Sequence, residues 1–384
     1  MEFRKRYRIQ IYVVEPLDTV DSIANKFGTP VEEIIFANQL IYPYKLAVGQ
    51  ALLVEFRPNQ YRTRRVINGY AYPFISNYVL RVTLPYLSGL YIFSYGFTKE
   101  GEVVSPALDD QWMINEAYEN DTKPVLTLTP FDENGVFSNN LITALVNNEQ
   151  AIENLIGNLI YLMNEKGFAG LDIDFEYIYK EDRDAFTSFV AECTRRMNEY
   201  GIWVSVALAP KTSSDQKGLL YEGKDYGGLG AAANSVLLMT YEWGYTYSSP
   251  MAVAPINKVR QVIEYALSQI PEAKIDMGIP NYGYDWTLPY EKGVTKAKTI
   301  GNVEAIQLAI NNGATVQYDD VAQTPFFNYT IGNEIHEVWF EDVRSINAKL
   351  NLIDEYNLRG AAYWQIMRLF RANWLLVESK FEVK

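Results

Sequence analysis

The chain has 384 residues, 48% hydrophobic and 14% aromatic, enough for one large core and a small additional module. A formal charge of −13 argues against nucleic acid as a partner, because phosphate recognition needs clustered Lys and Arg. A single Cys (Cys193) and a single His (His336) exclude an internal disulfide and a His/Cys zinc site, and they leave Ser–His or Cys–His chemistry only one candidate base.

Residues 1–6 are basic, but the apolar run after them is short and broken by Gln10, with no small-residue cleavage site, so this is a poor export signal. No stretch reaches the roughly 18–20 apolar residues of a membrane span, so no membrane partner is expected. Residues 1–55 then read as strand, helix, helix, strand. The first strand is 8–14. Asp18 or Thr19 caps a helix carrying Ile23, Ala24 and Phe27 at helical spacing, and Gly28 stops it. Pro30 opens a second helix with Ile34, Ile35 and Ala37, and residues 46–54 close the unit. Residues 56–65 are polar and basic around Pro58, which predicts a linker.

From 66 to 384, apolar runs alternate with helical stretches. Candidate strands are 67–72, 89–93, 125–129, 170–175, 203–208, 235–240, 274–279 and 360–364. Helix-period stretches at 151–165, 183–200 and 258–270 lie between them. The interval from about 287 to 342 is too long for one crossover and carries short β-like pieces. These features predict an α/β protein: a closed (β/α)8 TIM barrel with an inserted α+β subdomain, preceded by a small βααβ module.

The segment Ala169-Gly170-Leu171-Asp172-Ile173-Asp174-Phe175-Glu176-Tyr177 alternates strictly. Successive strand side chains point to opposite faces, so Asp172, Asp174 and Glu176 share one face and Leu171, Ile173 and Phe175 the other. A barrel strand needs that division, with the apolar set outward under the helices. Three inward acids repel one another and raise at least one pKa. Glu176, at the strand's C-terminal end where barrel enzymes keep their active sites, then becomes a general acid usable at neutral pH. Few basic residues occur in the candidate strands to neutralise the row. Oxygen ligation of Mg²⁺ or Ca²⁺ by the acids is the competing reading; no Gly-rich phosphate loop accompanies them. His336, in the polar stretch 332–337, reads as a surface or hairpin residue.

These motifs carry two resemblances. Asp18-Thr19-Val20-Asp21-Ser22-Ile23-Ala24, Ala37-Asn38-Gln39-Leu40 and Val48-Gly49-Gln50 resemble a LysM module, whose members bind N-acetylglucosamine-containing glycans. Gly170 to Glu176 resembles the DGxDxDxE motif of glycoside hydrolase family 18, the chitinase-like barrels. Three further segments match that family in order: Leu238-Met239-Thr240-Tyr241-Glu242-Trp243, Gly278-Ile279-Pro280-Asn281-Tyr282-Gly283 and Gly360-Ala361-Ala362-Tyr363-Trp364. The combination is most similar to bacterial spore cortex-fragment-lytic N-acetylglucosaminidases.

The resemblance implies a retaining, substrate-assisted hydrolase without cofactor or metal, acting on peptidoglycan at N-acetylglucosamine. In it Glu176 is the proton donor. Asp174 orients the substrate's acetamido group, Asp172 shares a proton with Asp174, and Tyr241 donates its hydroxyl to the acetamido oxygen. Trp364 forms the floor under the sugar, and Tyr282, Tyr70, Glu242 and Asn281 are candidate substrate contacts. Departures from the family pattern are Ala169 for its first Asp, Phe175 for the commoner Trp, Glu242 for Asp and Tyr284 for Arg. Chitin or chito-oligosaccharide hydrolysis, and a non-catalytic glycan-binding spore coat protein, are the alternatives. The implied location is the spore coat or cortex, or the cell wall.

Overall fold

The computed structural model describes residues 9–58, 61–132 and 135–383; the basic residues 1–6, and Arg8, which was expected to open the first strand, lie outside them. Ile9–Val13 pairs antiparallel with Ala51–Phe56, and the helices Val20–Phe27 and Val31–Asn38 lie between them in sequence. The first helix starts where the sequence predicts. Thr19 caps it by accepting from the Ser22 amide at 3.0 Å, and Gly28 ends it at φ +68°, in the left-handed region glycine tolerates. Val14, Val20, Ile23, Ile34, Leu52 and Val54 form its small core.

Eight parallel strands follow: Thr63–Ala71, Gly89–Phe97, Lys123–Leu128, Gly170–Ile173, Trp203–Leu208, Ser235–Leu238, Ile275–Pro280 and Gly360–Trp364. They are numbered one to eight below. Strand one pairs with both strand two (Asn68 opposite Gly89) and strand eight (Val66 opposite Gly360), which closes the barrel. Within the segment 56–65, Phe56 pairs with Ile9, and Thr63 to Arg65 pair with Phe381–Val383.

The outward residues of strand four fix its orientation. Leu171, Ile173 and Phe175 are fully buried, and Phe175 stacks on Phe186 and Phe189 at 5.6 and 6.0 Å. Those two rings belong to the helix Arg183–Glu199, whose buried stripe continues through Val190, Cys193 and Met197. Each such side chain stabilises the fold by about 1.5–3 kcal/mol when removed from water. With the odd residues held outward, the even ones must face the barrel interior.

After strand seven the chain forms a five-stranded antiparallel sheet, in the spatial order Lys298–Ile300, Gly283–Leu288, Glu334–Trp339, Thr324–Ile331 and Gln317–Asp319. Its pairing begins at Gly283, four residues before the expected start of the insertion at 287, because Gly283 already pairs with Ile300. The helix Asn302–Asn311 covers it through Ala305 and Ala309. His336 sits in the hairpin formed by the last two long strands, stacked on Tyr329 at 4.6 Å, with Nδ1 3.0 Å from Asp285. The small module is latched to this insertion, to the helix Val343–Glu355 that follows it and to the chain's last helix, Arg371–Lys380. The Val316 amide donates to Val48 O at 2.9 Å, Arg344 reaches Gly49 O at 3.3 Å, and Arg371 donates to Phe36 O at 3.2 Å. The Arg371 guanidinium also lies 4.1 Å over the Phe36 ring.

Candidate active site

Strand four loses regular pairing after Ile173, two residues earlier than expected, although the Asp174 amide still donates to Leu128 O at 2.9 Å. The alternation persists beyond it, and the three acids step from the barrel interior to its mouth. Asp172 is fully buried, Asp174 is 7% exposed, and Glu176 is half-buried at the opening. There they meet a cleft of about 540 Å³, walled by Asp174, Glu176, Tyr177, Pro210, Leu220, Tyr221, Met239, Tyr241, Glu242, Trp243, Tyr245 and Trp364. A tighter groove between the small module and the insertion has only about 40 Å³, room for little more than water.

The deepest acid is the best satisfied. Asp172 accepts from the Tyr70 hydroxyl at 2.8 Å and from Ser205 at 2.6 Å, one bond to each oxygen. Burial nevertheless raises its pKa to about 6, against those two hydrogen bonds, with Asp276 adding to the rise and Lys224 opposing it. Asp174 differs: its Oδ1 is buried and has no hydrogen-bond partner among the described residues. Burial, then the charge of Glu176, then that of Asp172 hold its carboxyl well above the usual carboxylate range. Burial also raises Glu176, with Lys224 pulling the other way.

Tyr241 lies at the end of strand six, 9% exposed, in the cleft wall. Burial and then the charges of Asp174, Glu176 and Asp172 push its hydroxyl far up, so it stays a donor. Gly278 makes room for that ring: a Cβ there would lie 2.7 Å from Tyr241 Cε1. Trp364, at the end of strand eight, forms the cleft floor with its ring edge-on to Phe93 and Tyr70, at 5.0 and 5.5 Å.

The other candidate contacts stand further back. Tyr70 is 2% exposed, and its hydroxyl is committed to Asp172. Asn281 is not part of the cleft wall: its amide donates to Gln365 O at 3.0 Å and Arg368 O at 2.9 Å, so it braces the loop after strand eight. Tyr282 is 4% exposed and donates to Glu242. Tyr284, the position where the family pattern has Arg, donates to the same carboxylate at 2.9 Å. Two tyrosines thus aim Glu242 into the cleft, and Glu242 itself holds φ +66°, a conformation rare for a residue with a Cβ.

Sequence reasoning missed Lys224. The expectation that few cations face the acids held for the strands alone, because the cation comes from the loop after strand five. Lys224 is fully buried, its Nζ donates to Phe175 O and Ala207 O, and its charge acts on all three acids. Among the described residues, no group of three or more His, Cys, Asp or Glu side chains is arranged to hold a metal ion.

An inward row of acids at the mouth of a closed barrel, beside an aromatic floor, defines a carboxylate glycosidase, and comparison with known proteins agrees. Residues 135–368 match glycosyl hydrolases family 18, and residues 12–55 match the LysM domain. The chain belongs to that glycosidase family. It is 40% identical to the cortical fragment-lytic enzyme of Bacillus subtilis (strain 168), over 98% of this chain and 99% of that protein. The cortical fragment-lytic enzyme of Bacillus anthracis is 33% identical over the same shares. The crystal structure of the spore cortex-lytic enzyme SleL of Bacillus megaterium QM B1551 superposes with a TM-score of 0.93 at 35% identity, covering 98% of this chain and 99% of that one.

Proposed function

We propose that this chain is a retaining, substrate-assisted N-acetylglucosaminidase that cleaves β-1,4 bonds in peptidoglycan, with spore cortex fragments as its substrate. In this reading residues 1–55 are the glycan-binding LysM module, 56–65 the linker and 66–384 the catalytic barrel with its insertion at about 287–342. The protein acts at the bacterial spore, in the coat or cortex. Cortex as the substrate is carried over from the relatives; the chemistry rests on the acid row.

The observation that carries the proposal is the unpartnered Asp174 Oδ1 beside a half-buried Glu176. Ordinary retaining glycosidases place a nucleophilic carboxylate about 5–5.5 Å from the acid. Here an acceptor oxygen waits, suited to an amide N–H. Glu176, protonated because its site is desolvated, gives its proton to the glycosidic oxygen while the substrate's own acetamido oxygen attacks the anomeric carbon. The C1–O bond breaks, and positive charge develops on the cyclised acetamido group. Asp174 passes its proton to Asp172 as the cation grows and, now ionised, accepts the acetamido N–H. Tyr241 donates to the acetamido oxygen, and Asp172 is the group that shares the proton with Asp174. Trp364 stacks under the sugar, and Glu242, steered by Tyr282 and Tyr284, contacts a sugar hydroxyl. Glu176, now a carboxylate, takes a proton from the incoming water, which opens the ring with net retention. These contacts strengthen as charge develops, so they accelerate the reaction and not merely binding.

Purified cortex muropeptides and chito-oligosaccharides, digested side by side and resolved by mass spectrometry, test this. New N-acetylglucosamine reducing ends from muropeptides support it. Cleavage of chito-oligosaccharides alone favours the chitinase alternative, and no cleavage of either favours a glycan-binding coat protein.

A further inference from the structure

Lys224 lies at the end of the loop 210–225, which follows strand five and supplies Leu220 and Tyr221 to the cleft wall. A fully buried ammonium is costly and normally faces a carboxylate at contact distance. Lys224 does not: among the described residues it forms no ion pair within 4.0 Å. It donates instead to two main-chain carbonyls. One is Phe175 O, in the residue before Glu176, and the other is Ala207 O in strand five, at 3.0 Å. The face of Phe186 lies 5.3 Å from Nζ.

A second buried lysine closes the base of the same loop. Lys211, 2% exposed, donates from Nζ to Lys224 O at 3.0 Å. Its amide donates to the Tyr226 hydroxyl at 3.0 Å, and that hydroxyl donates to Ala209 O. The two ends of the loop are thereby tied to each other and to the point where strand four releases Glu176.

We infer that Lys224 is a positioning residue of the glycosidase reaction: its ammonium clamps the carbonyls of Phe175 and Ala207, fixing the segment that carries Glu176, and supplies the positive charge that faces the acid row. The inference rests on the reading of Glu176 as proton donor.

The charged groups facing this ammonium are Asp174, Glu176 and Asp172; the neutral hydroxyls of Tyr70 and Tyr241 lie near the same acids, and Lys211 meets the main-chain carbonyl of Lys224. A cation favours the carboxylate form, so its removal lets the acids hold their protons to higher pH, and both limbs of the pH–rate profile move upward. Burial draws the Lys224 pKa itself down to about 8, so the comparison is read below that pH.

The test measures kcat and KM across pH on cortex muropeptides for the full chain, its Lys224→Met and Lys224→Gln variants, and Glu176→Gln. Lys224→Met, which loses clamp and charge, is expected to lower kcat about 10- to 100-fold with little change in KM, and to shift both limbs up by about one pH unit. Lys224→Gln keeps an amide donor for the carbonyls, so it recovers much of kcat but retains the pH shift. Wild-type profiles in both variants overturn the inference, as does failure of both to fold, since Lys224 is then a core residue only. Glu176→Gln separates the two readings. If it turns over like wild type, the proton-donor reading fails. If it is inactive while the Lys224 variants keep the wild-type profile, only the present inference fails.

Discussion

Asp285 and Asp174 are matched in burial, at 8% and 7% exposed, and opposite in circumstance. Asp285, in the inserted sheet, accepts from the Tyr329 hydroxyl at 2.6 Å on one oxygen and meets His336 Nδ1 at 3.0 Å on the other. Asp174, at the barrel mouth, keeps one buried oxygen without any partner among the described residues. A buried acid such as Asp285, with both oxygens satisfied and outside the cleft wall, is a structural tie. One held unsatisfied is a standing cost, and a fold retains it where a ligand completes it. Burial alone does not mark a functional residue; an unfilled bond at the cleft does, whereas the unpartnered oxygens of Asp276 and Glu341 lie outside its wall.

The sharpest way to break the contrast is at its outer end. Glu176→Gln keeps size and a hydrogen-bonding head but cannot give up a proton, so turnover should fall by about 10²–10⁴ with the melting temperature unchanged. Wild-type turnover in that variant would sink the assignment. Asp174→Asn should follow, lowering kcat by about 10²–10³ while leaving the fold as stable or more so, because a poorly solvated carboxyl is gone. Asp285→Asn should do the reverse: about 1–3 kcal/mol of stability lost by denaturant melt, with kcat retained. If the two aspartates exchanged these outcomes, the distinction between tie and instrument would be wrong.

The pH response is a smaller effect and separates the regions further. Asp172 and Asp276, both raised by burial to about 6, bind a proton in the folded state that the unfolded chain has already released above its ordinary carboxylate range. Their contribution to stability therefore falls as pH rises from about 4 to 6 and levels off above that. Asp172→Asn should flatten part of this slope in melts taken across that range. Glu176 is raised as well, so kcat should hold into pH values where an ordinary carboxylate is fully ionised and decline only as Glu176 loses its proton.

Local chemistry made much of this visible in the sequence. Thr19 and Gly28 bound a helix because their side chains, or lack of one, solve the problem of unpaired helix ends. The acid row was readable because strand geometry sorts alternate residues without help from the rest of the molecule. What depends on distant segments was not readable. Lys224 sits in an irregular loop, and only barrel closure brings it beneath Glu176. Asn281 lies beside catalytic segments in sequence, yet its amide is taken by the carbonyls of Gln365 and Arg368. Tyr70 falls a layer below the cleft because Ala71 and Tyr72 carry the chain on to the rim. Strand four was expected to run through Phe175 because its alternation does, while regular pairing stops at Ile173.

The arginine latches at Arg344 and Arg371 have a mechanical meaning. A tethered hand swings freely and finds its work by diffusion; this one is bolted to the tool. Whatever polymer the small module grips reaches the cutting edge at a single angle and a fixed offset, so reach is traded for aim, and severing the bolts should turn a measured bite into a loose one.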